Sequence, residues 1–198
     1  MNRRELLSAA ASAALLSCAG PLGAQQRRYD LVIKGGRVIG PSLRLDAVRD
    51  VGIAAGRITA VVRAIDAAAA GTLDRPGKLV GPALVCIHTH AARDAAGPAL
   101  CLRDGVTGFI DAGSAGADNL DPAVAIVRAA PQTGRILVNI GRGGILPDGD
   151  TKDLSLADVG AARAAIERHR DYVVGIKARL SGTVVGKNDL EVLKRAQQ

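Results

Sequence analysis

Aromatic side chains are nearly missing from this sequence of 198 residues, which holds one Phe, two Tyr and no Trp. An aromatic core is excluded, and the interior has to be assembled from Ala, Val, Ile and Leu, as where β-branched strands pack against Ala-rich helices. An α/β class follows. Cysteine is scarce as well: there are three, and no CxxC spacing marks a metal knuckle or a redox pair. Cys18 falls in an N-terminal apolar stretch, while Cys86 and Cys101 fall in or near expected core elements, a placement that favours two buried thiols over a disulfide. What is present is a globular balance, 48% apolar and 23% charged. The net charge is +7, but Arg and Lys are scattered among acids with no aromatic interleaving. No nucleic-acid face is evident, and the charge reads as solvated surface.

Long apolar runs are lacking too. The stretch from Leu6 to Leu16 is shorter than the ~20 residues of a membrane span, so no such span is expected. Arg3 and Arg4 precede it and the small residues of Leu22-Gly23-Ala24 end it, the pattern of an export signal over residues 1–24. The Arg pair resembles a twin-arginine signal, although Asn2 precedes it and Leu6 stands where Phe is common. That route carries folded proteins and implies a periplasmic destination. Leu15-Leu16-Ser17-Cys18 partly resembles a lipoprotein box, and in that second reading Cys18 is a lipid anchor. Loss of Arg3, Arg4 and Glu5 with the leader changes the charge by one, so the basic balance belongs to the mature domain.

Residues 25–78 read as a small β segment. YDLVIKGGRVI from Tyr29 to Ile39 alternates and breaks at Gly35-Gly36, and DVGIAAGRITAVV from Asp50 to Val62 breaks at Gly56, which implies two short hairpins. Over residues 79–198 apolar runs of strand length alternate with helical segments, the sign of βα units and a parallel sheet. Four strands are expected: Leu79 to His88, Gly108 to Ala112, Arg135 to Ile140 and Tyr172 to Leu180. Before the fourth, Ser155 and Asp158 form a capping-box pattern, followed by Leu156, Val159, Ala162 and Ile166 at helical spacing. Val185 to Gln198 reads as the helix after the fourth strand. A complete (β/α)8 barrel takes about 250 residues, so the expectation is the N-terminal half of that barrel, truncated, or a smaller open sheet.

His88-Thr89-His90 ends the first of these strands. Residues two apart on a strand point to the same side, so both imidazoles can reach one divalent metal such as Zn²⁺. A bare His-x-His is common, and ordinary polar loop histidines are the competing reading. Lys177 lies in VVGIKARL with no acidic partner in its strand. Either its stem lies along the sheet and its amine reaches a carboxylate elsewhere, or it is a desolvated, nucleophilic amine able to take up CO₂ as a carbamate. Asp111 and Ser114 follow the second strand on the same side as the His pair; they line the pocket, or Asp111 caps a turn. Neither is taken as a ligand. His169 lies on the helix before the fourth strand and reads as a surface or helix-end residue.

Taken together, YDLVIKGGRVI, a strand ending in His-x-His, and a Lys at the end of the fourth strand resemble the amidohydrolase superfamily, which includes dihydroorotases and D-aminoacylases. IDAGSAG from Ile110 to Gly116 and VGIKARLSGTVVG from Val174 to Gly186 resemble the amidohydrolase/deacetylase metallohydrolases more narrowly. The resemblance covers essentially the whole mature chain, and motifs in this order are far more specific than the His pair alone. It implies a small β-sandwich and a (β/α)8 barrel. It also implies metal ligation by His88, His90 and Lys177 as carboxylysine, with a second metal bridged by the carbamate. The implied metal is Zn²⁺, with Mn²⁺, Co²⁺ or Ni²⁺ acceptable to such ligands. By the same resemblance a metal-bridging hydroxide hydrolyses amide or ester bonds of small molecules: cyclic amides, N-acyl amino acids or acetylated acids.

The family's catalytic Asp and two further His ligands belong to later strands, beyond Gln198. The family also has Pro-Gly and an Asp two residues before the first His, where this sequence has Pro82-Ala83 and Cys86. Cys86 there is a small buried hydrophobe, which removes a charge from the metal surroundings, or it adds a soft sulfur ligand. The alternative to an enzyme is an inactive half-barrel that binds metal weakly, or pairs with itself or another chain through an exposed fourth strand.

Overall fold

In the computed structural model, residues 28–198 are described, and they divide into two compact units at Pro82/Ala83. The expected leader and Cys18 lie outside the described residues.

The first unit is one mixed sheet of five strands: β1 (Tyr29–Gly40), β2 (Leu45–Ala54), β3 (Arg57–Val62), β4 (Ala69–Asp74) and β5 (Leu79–Val80). The order is β3-β2-β1-β4, with β5 also pairing β1. The hairpin expected at Gly56 is present, as β2 and β3 pair antiparallel across Ala55-Gly56. The one expected at Gly35-Gly36 is not. β1 runs through both glycines for 12 residues, and the chain turns back only at Pro41–Leu43. Lys34 and Gly35 instead form a bulge opposite Asp50, with Gly35 at φ 68°. That left-handed conformation is cheap only for glycine. The Asp50 carboxylate accepts from Gly35 N at 2.9 Å and from Ile65 N at 2.9 Å, so one buried acid holds both the bulge and the segment after β3.

Leu79 to His88 was expected as a single strand and is two. Leu79–Val80 pairs with β1, and a new strand begins at Leu84. Gly81-Pro82 explains the break, because Pro offers no N–H to a ladder.

The second unit is a parallel sheet of four strands in chain order: β6 (Leu84–Thr89), β7 (Val106–Gly116), β8 (Thr133–Asn139) and β9 (Val173–Lys177). Its crossovers carry α1 (Gly97–Arg103), α2 (Leu120–Ala129) and α3 (Val159–Arg168). The core lies between the sheet and these helices, with Phe109, Ile136 and Val138 from strands facing Leu120, Val124 and Val127 from α2. Each such side chain contributes about 1.5–3 kcal/mol on burial. The lone Phe is 1% exposed, so the sparse aromatic content is spent inside.

The α3 cap differs from expectation. Asp158 is the N-cap itself, accepting from Ala161 N at 2.9 Å, and the helix starts at Val159. Ser155 lies in a separate 3₁₀ turn, Leu154–Leu156, that Asp153 caps. Val185 to Gln198 is also not one helix: α4 (Gly182–Val185) and a 3₁₀ turn precede α5 (Asp189–Ala196). Gly186 at φ 60° marks the interruption.

Candidate metal centre

All three residues singled out as ligands stand at the C-terminal ends of parallel strands. His88 is in β6, His90 follows it directly, and Lys177 is the last residue of β9. The two imidazoles lie edge to face with ring centroids 5.7 Å apart. The Lys177 Nζ is 3.5 Å from His88 Nε2, across 89 residues of sequence. β6 and β9 are the two outer strands of this sheet. Strand side chains stand perpendicular to the sheet and strands are about 4.8 Å apart, so groups on the two edges of a flat sheet would point away in parallel. Their meeting requires the sheet to be rolled, concave toward these side chains.

Gly113 makes room for the Lys. It lies in β7 at φ 77°, and a Cβ there would sit 2.5 Å from Lys177 Cβ and 2.7 Å from Cγ. The stem of Lys177 therefore crosses the bare backbone of IDAGSAG. Lys177 is half-buried and, among the described residues, pairs with no carboxylate; His88 is its polar neighbour. The reading in which the amine reaches an acid elsewhere is not what this geometry has.

His90 has a different neighbour. Its Nδ1 is 2.9 Å from Ser114 Oγ, and Ser114 Oγ donates to Asp111 Oδ2 at 2.9 Å. Asp111 is fully buried and also accepts from Ser114 N at 2.8 Å and from Ala92 N at 2.9 Å. It thus caps a turn, one of the two roles open to it from sequence, and ties β7 to the segment after His90. Burial lowers the pKa of His90, with Asp111 working the other way and repulsion from His88, Arg93 and Lys177 adding to the burial effect. A neutral imidazole, the form that binds metals, is favoured.

A second buried network, which the sequence did not reveal, adjoins the site. Asn139, last in β8, donates to Asp150 Oδ2 at 3.0 Å and to Gly113 O at 3.2 Å, and accepts from Gly141 N at 2.9 Å. Asp150 also accepts from Leu146 N at 3.0 Å and faces Arg179 Nε at 3.5 Å. It pins the long β8–α3 connection to the end of β8 through Asn139 and to Arg179, two residues after Lys177. Nothing local marks Asp150 in the run DGD; only its burial, 1% exposed, reveals the role.

Other residues fall away from the site. His169 is the C-cap of α3 and lies 2.7 Å from Asp121 in the first turn of α2, at the opposite end of the strands. Cys86 and Cys101 are free and half-buried. Among the described residues no three His, Cys, Asp or Glu side chains converge as a metal-ligand set. The donors present are two imidazoles and one amine. Such a set fits part of a divalent-metal site, provided that the amine gains an oxygen donor, for an ammonium cannot ligate.

No family model matches the sequence. A deacetylase from Enterococcus faecalis is 32% identical over 176 residues, which cover 86% of this chain and 46% of the deacetylase. A dihydroorotase from Streptococcus pneumoniae is 43% identical over 60 residues, 30% of this chain and 14% of that protein. Among solved structures, the crystal structure of an adenine deaminase superposes with a TM-score of 0.76 at 32% identity, covering 86% of this chain and 46% of that one. The chain therefore spans less than half the length of the relatives it matches.

Proposed function

The chain belongs to the amidohydrolase superfamily, and from that premise we propose that it contributes His88, His90 and Lys177 to the metal centre of a hydrolase that cleaves C–N bonds in small molecules. The observation that carries the reading is the approach of Lys177 Nζ to His88 Nε2, 3.5 Å apart from opposite edges of one sheet. The rolled sheet is, on this reading, an arc of a (β/α)8 barrel, whose active groups gather at the strand C-termini. The sheet of residues 28–82 would be one layer of the small β-sandwich.

His88 and His90 would hold one Zn²⁺ through their ring nitrogens, and Lys177 would reach it as a carbamate. Forming the carbamate from the ammonium would join Nζ to the carbon of CO₂ and release two protons from nitrogen, which turns a cationic group into an anionic oxygen donor. A divalent metal so held would supply an activated water and polarise a scissile carbonyl. Substrates of the proposed kind are cyclic amides, N-acyl amino acids or acetylated acids, with esters as a further class. The names deacetylase, dihydroorotase and adenine deaminase agree on hydrolysis of a C–N bond and on no one substrate. Export through the leader at residues 1–24, or anchoring at Cys18, belongs to the same proposal; the mass of the chain recovered from the periplasm tests it.

Elemental analysis of chain purified without chelators tests the metal reading. About one to two equivalents of Zn²⁺ per chain, lost in a His88→Ala/His90→Ala variant, is the expected result; equal background metal in both would overturn it. A specific observation favours a second reading, a half-barrel that pairs with another chain. Leu84, Val85 and Ile87 on edge strand β6 are 62%, 59% and 71% exposed. Sedimentation at increasing concentration distinguishes a pairing chain from a monomer.

A further inference from the structure

The contacts of Ser114 contain more information than its proximity to the site. A serine hydroxyl has one proton and two lone pairs, whereas an ionised carboxylate only accepts. Three donors converge on Asp111: Ala92 N, Ser114 N and Ser114 Oγ. The hydroxyl proton of Ser114 is therefore committed to Asp111. At the 2.9 Å contact between Ser114 Oγ and His90 Nδ1 the serine has only a lone pair to offer, so the proton on that line is carried by the ring. A neutral imidazole holds one N–H, and with it on Nδ1 the lone pair is left on Nε2.

We propose that Ser114, oriented by the buried Asp111, is a positioning residue that fixes His90 as the Nδ1–H tautomer and so presents a bare Nε2 to a divalent metal. The tautomer assignment stands on the described geometry; its metal-directed half rests on the proposed function. Free imidazole favours neither nitrogen strongly, and a ligand that must first move its proton binds more weakly. A carboxylate acting on a metal-bound imidazole through one hydroxyl is a longer form of the direct carboxylate–histidine pairing, and it sets ring orientation as well as the proton. The geometry also explains why the turn is built as DAGS. Asp111 takes the amide and the hydroxyl of the same residue, three positions on, so Ser114 is held at both its backbone and its side chain.

Two-bond ¹H–¹⁵N correlation spectra of the metal-free full chain read the tautomer directly. The wild-type chain should show a protonated, pyrrole-type Nδ1 and a pyridine-type Nε2 at His90, assigned by comparison with His90→Ala. Ser114→Ala should shift His90 toward the Nε2–H form, and Ser114→Thr, which keeps a hydroxyl, should restore the wild-type pattern. Competition with a zinc chelator should give about 10–100-fold weaker Zn²⁺ binding in Ser114→Ala than in wild type, the range expected when a ligand's outer partner is removed. An Nε2–H tautomer in the wild-type chain overturns the proposal without reference to any variant. So does a Ser114→Ala chain whose tautomer and zinc affinity match wild type. If Zn²⁺ leaves the His88 and His90 resonances unmoved in every chain, the metal reading and the metal-directed half of the proposal are overturned, while the metal-free spectrum decides the tautomer separately.

Discussion

Asp111 and Gly113 show how single residues set this site. Asp111 accepts three hydrogen bonds with no exposed surface, and an alanine there would strand Ala92 N and both donors of Ser114. An unsatisfied buried donor costs about 1–3 kcal/mol, so Asp111→Ala is expected to lower unfolding free energy by at least ~2 kcal/mol in urea titration. Gly113→Ala combines two penalties, a positive φ and a Cβ 2.5 Å from that of Lys177. Overpacking of this kind costs about 1–3 kcal/mol. The expected signature is a drop in stability together with loss of bound zinc, since the displaced group is Lys177. A stability loss with zinc retained would mean that Lys177 is not among the ligands.

At the scale of elements, the cap of α3 separates two assignments that sequence spacing leaves confounded. Asp158→Ala should cost about 1 kcal/mol, because the carboxylate accepts from Ala161 N at the helix start. Ser155→Ala should change stability by less than ~0.5 kcal/mol, as it lies outside the helix. Equal effects would restore the capping box over Ser155. The edges of the sheet carry another expectation. β6 exposes Leu84, Val85 and Ile87 on a strand that, among the described residues, pairs with β7 alone, and such edges pair with other chains. Light scattering should rise with concentration in the wild-type chain and fall in Ile87→Lys, which adds a charge to the strand.

Over the whole molecule, surface carboxylates contribute to the acid side of stability. Asp46, Asp118, Asp121 and Asp153 all have pKa values below the usual Asp value, held down chiefly by hydrogen bonds from Arg37, Arg142, His169 and Ser155 respectively. Their folded forms bind protons less readily than the unfolded chain does. They add stability above the ordinary carboxylate pKa of about 4, and that contribution is lost as pH falls through their lowered values. Thermal unfolding followed from pH 6 downward should show a steady midpoint until about pH 4–5 and then a decline. The ion pairs Arg37–Asp46 and Arg142–Asp118 are exposed on both sides, so their part of the decline is gradual and shrinks in high salt.

Much of this was legible in the chain itself. Alternation and helical spacing locate three of the four parallel strands to within a few residues, because side-chain periodicity depends only on near neighbours, whereas they run the first together with β5. The same alternation puts His88 and His90 at a strand end on one side, and motif order marks Lys177. The misreadings share a cause. Gly35-Gly36 has the composition of a turn, and whether it turns or bulges depends on Asp50, 15 residues away. Ser155 and Asp158 both suit a cap, and the choice was made by which backbone amides were left free. The proton arrangement at His90, the network of Asn139, Asp150 and Arg179, and the passage of Lys177 over Gly113 depend on contacts between distant segments. Lys177 and His88 meet across 89 residues only because the intervening strands roll the sheet, and no local pattern encodes that curvature.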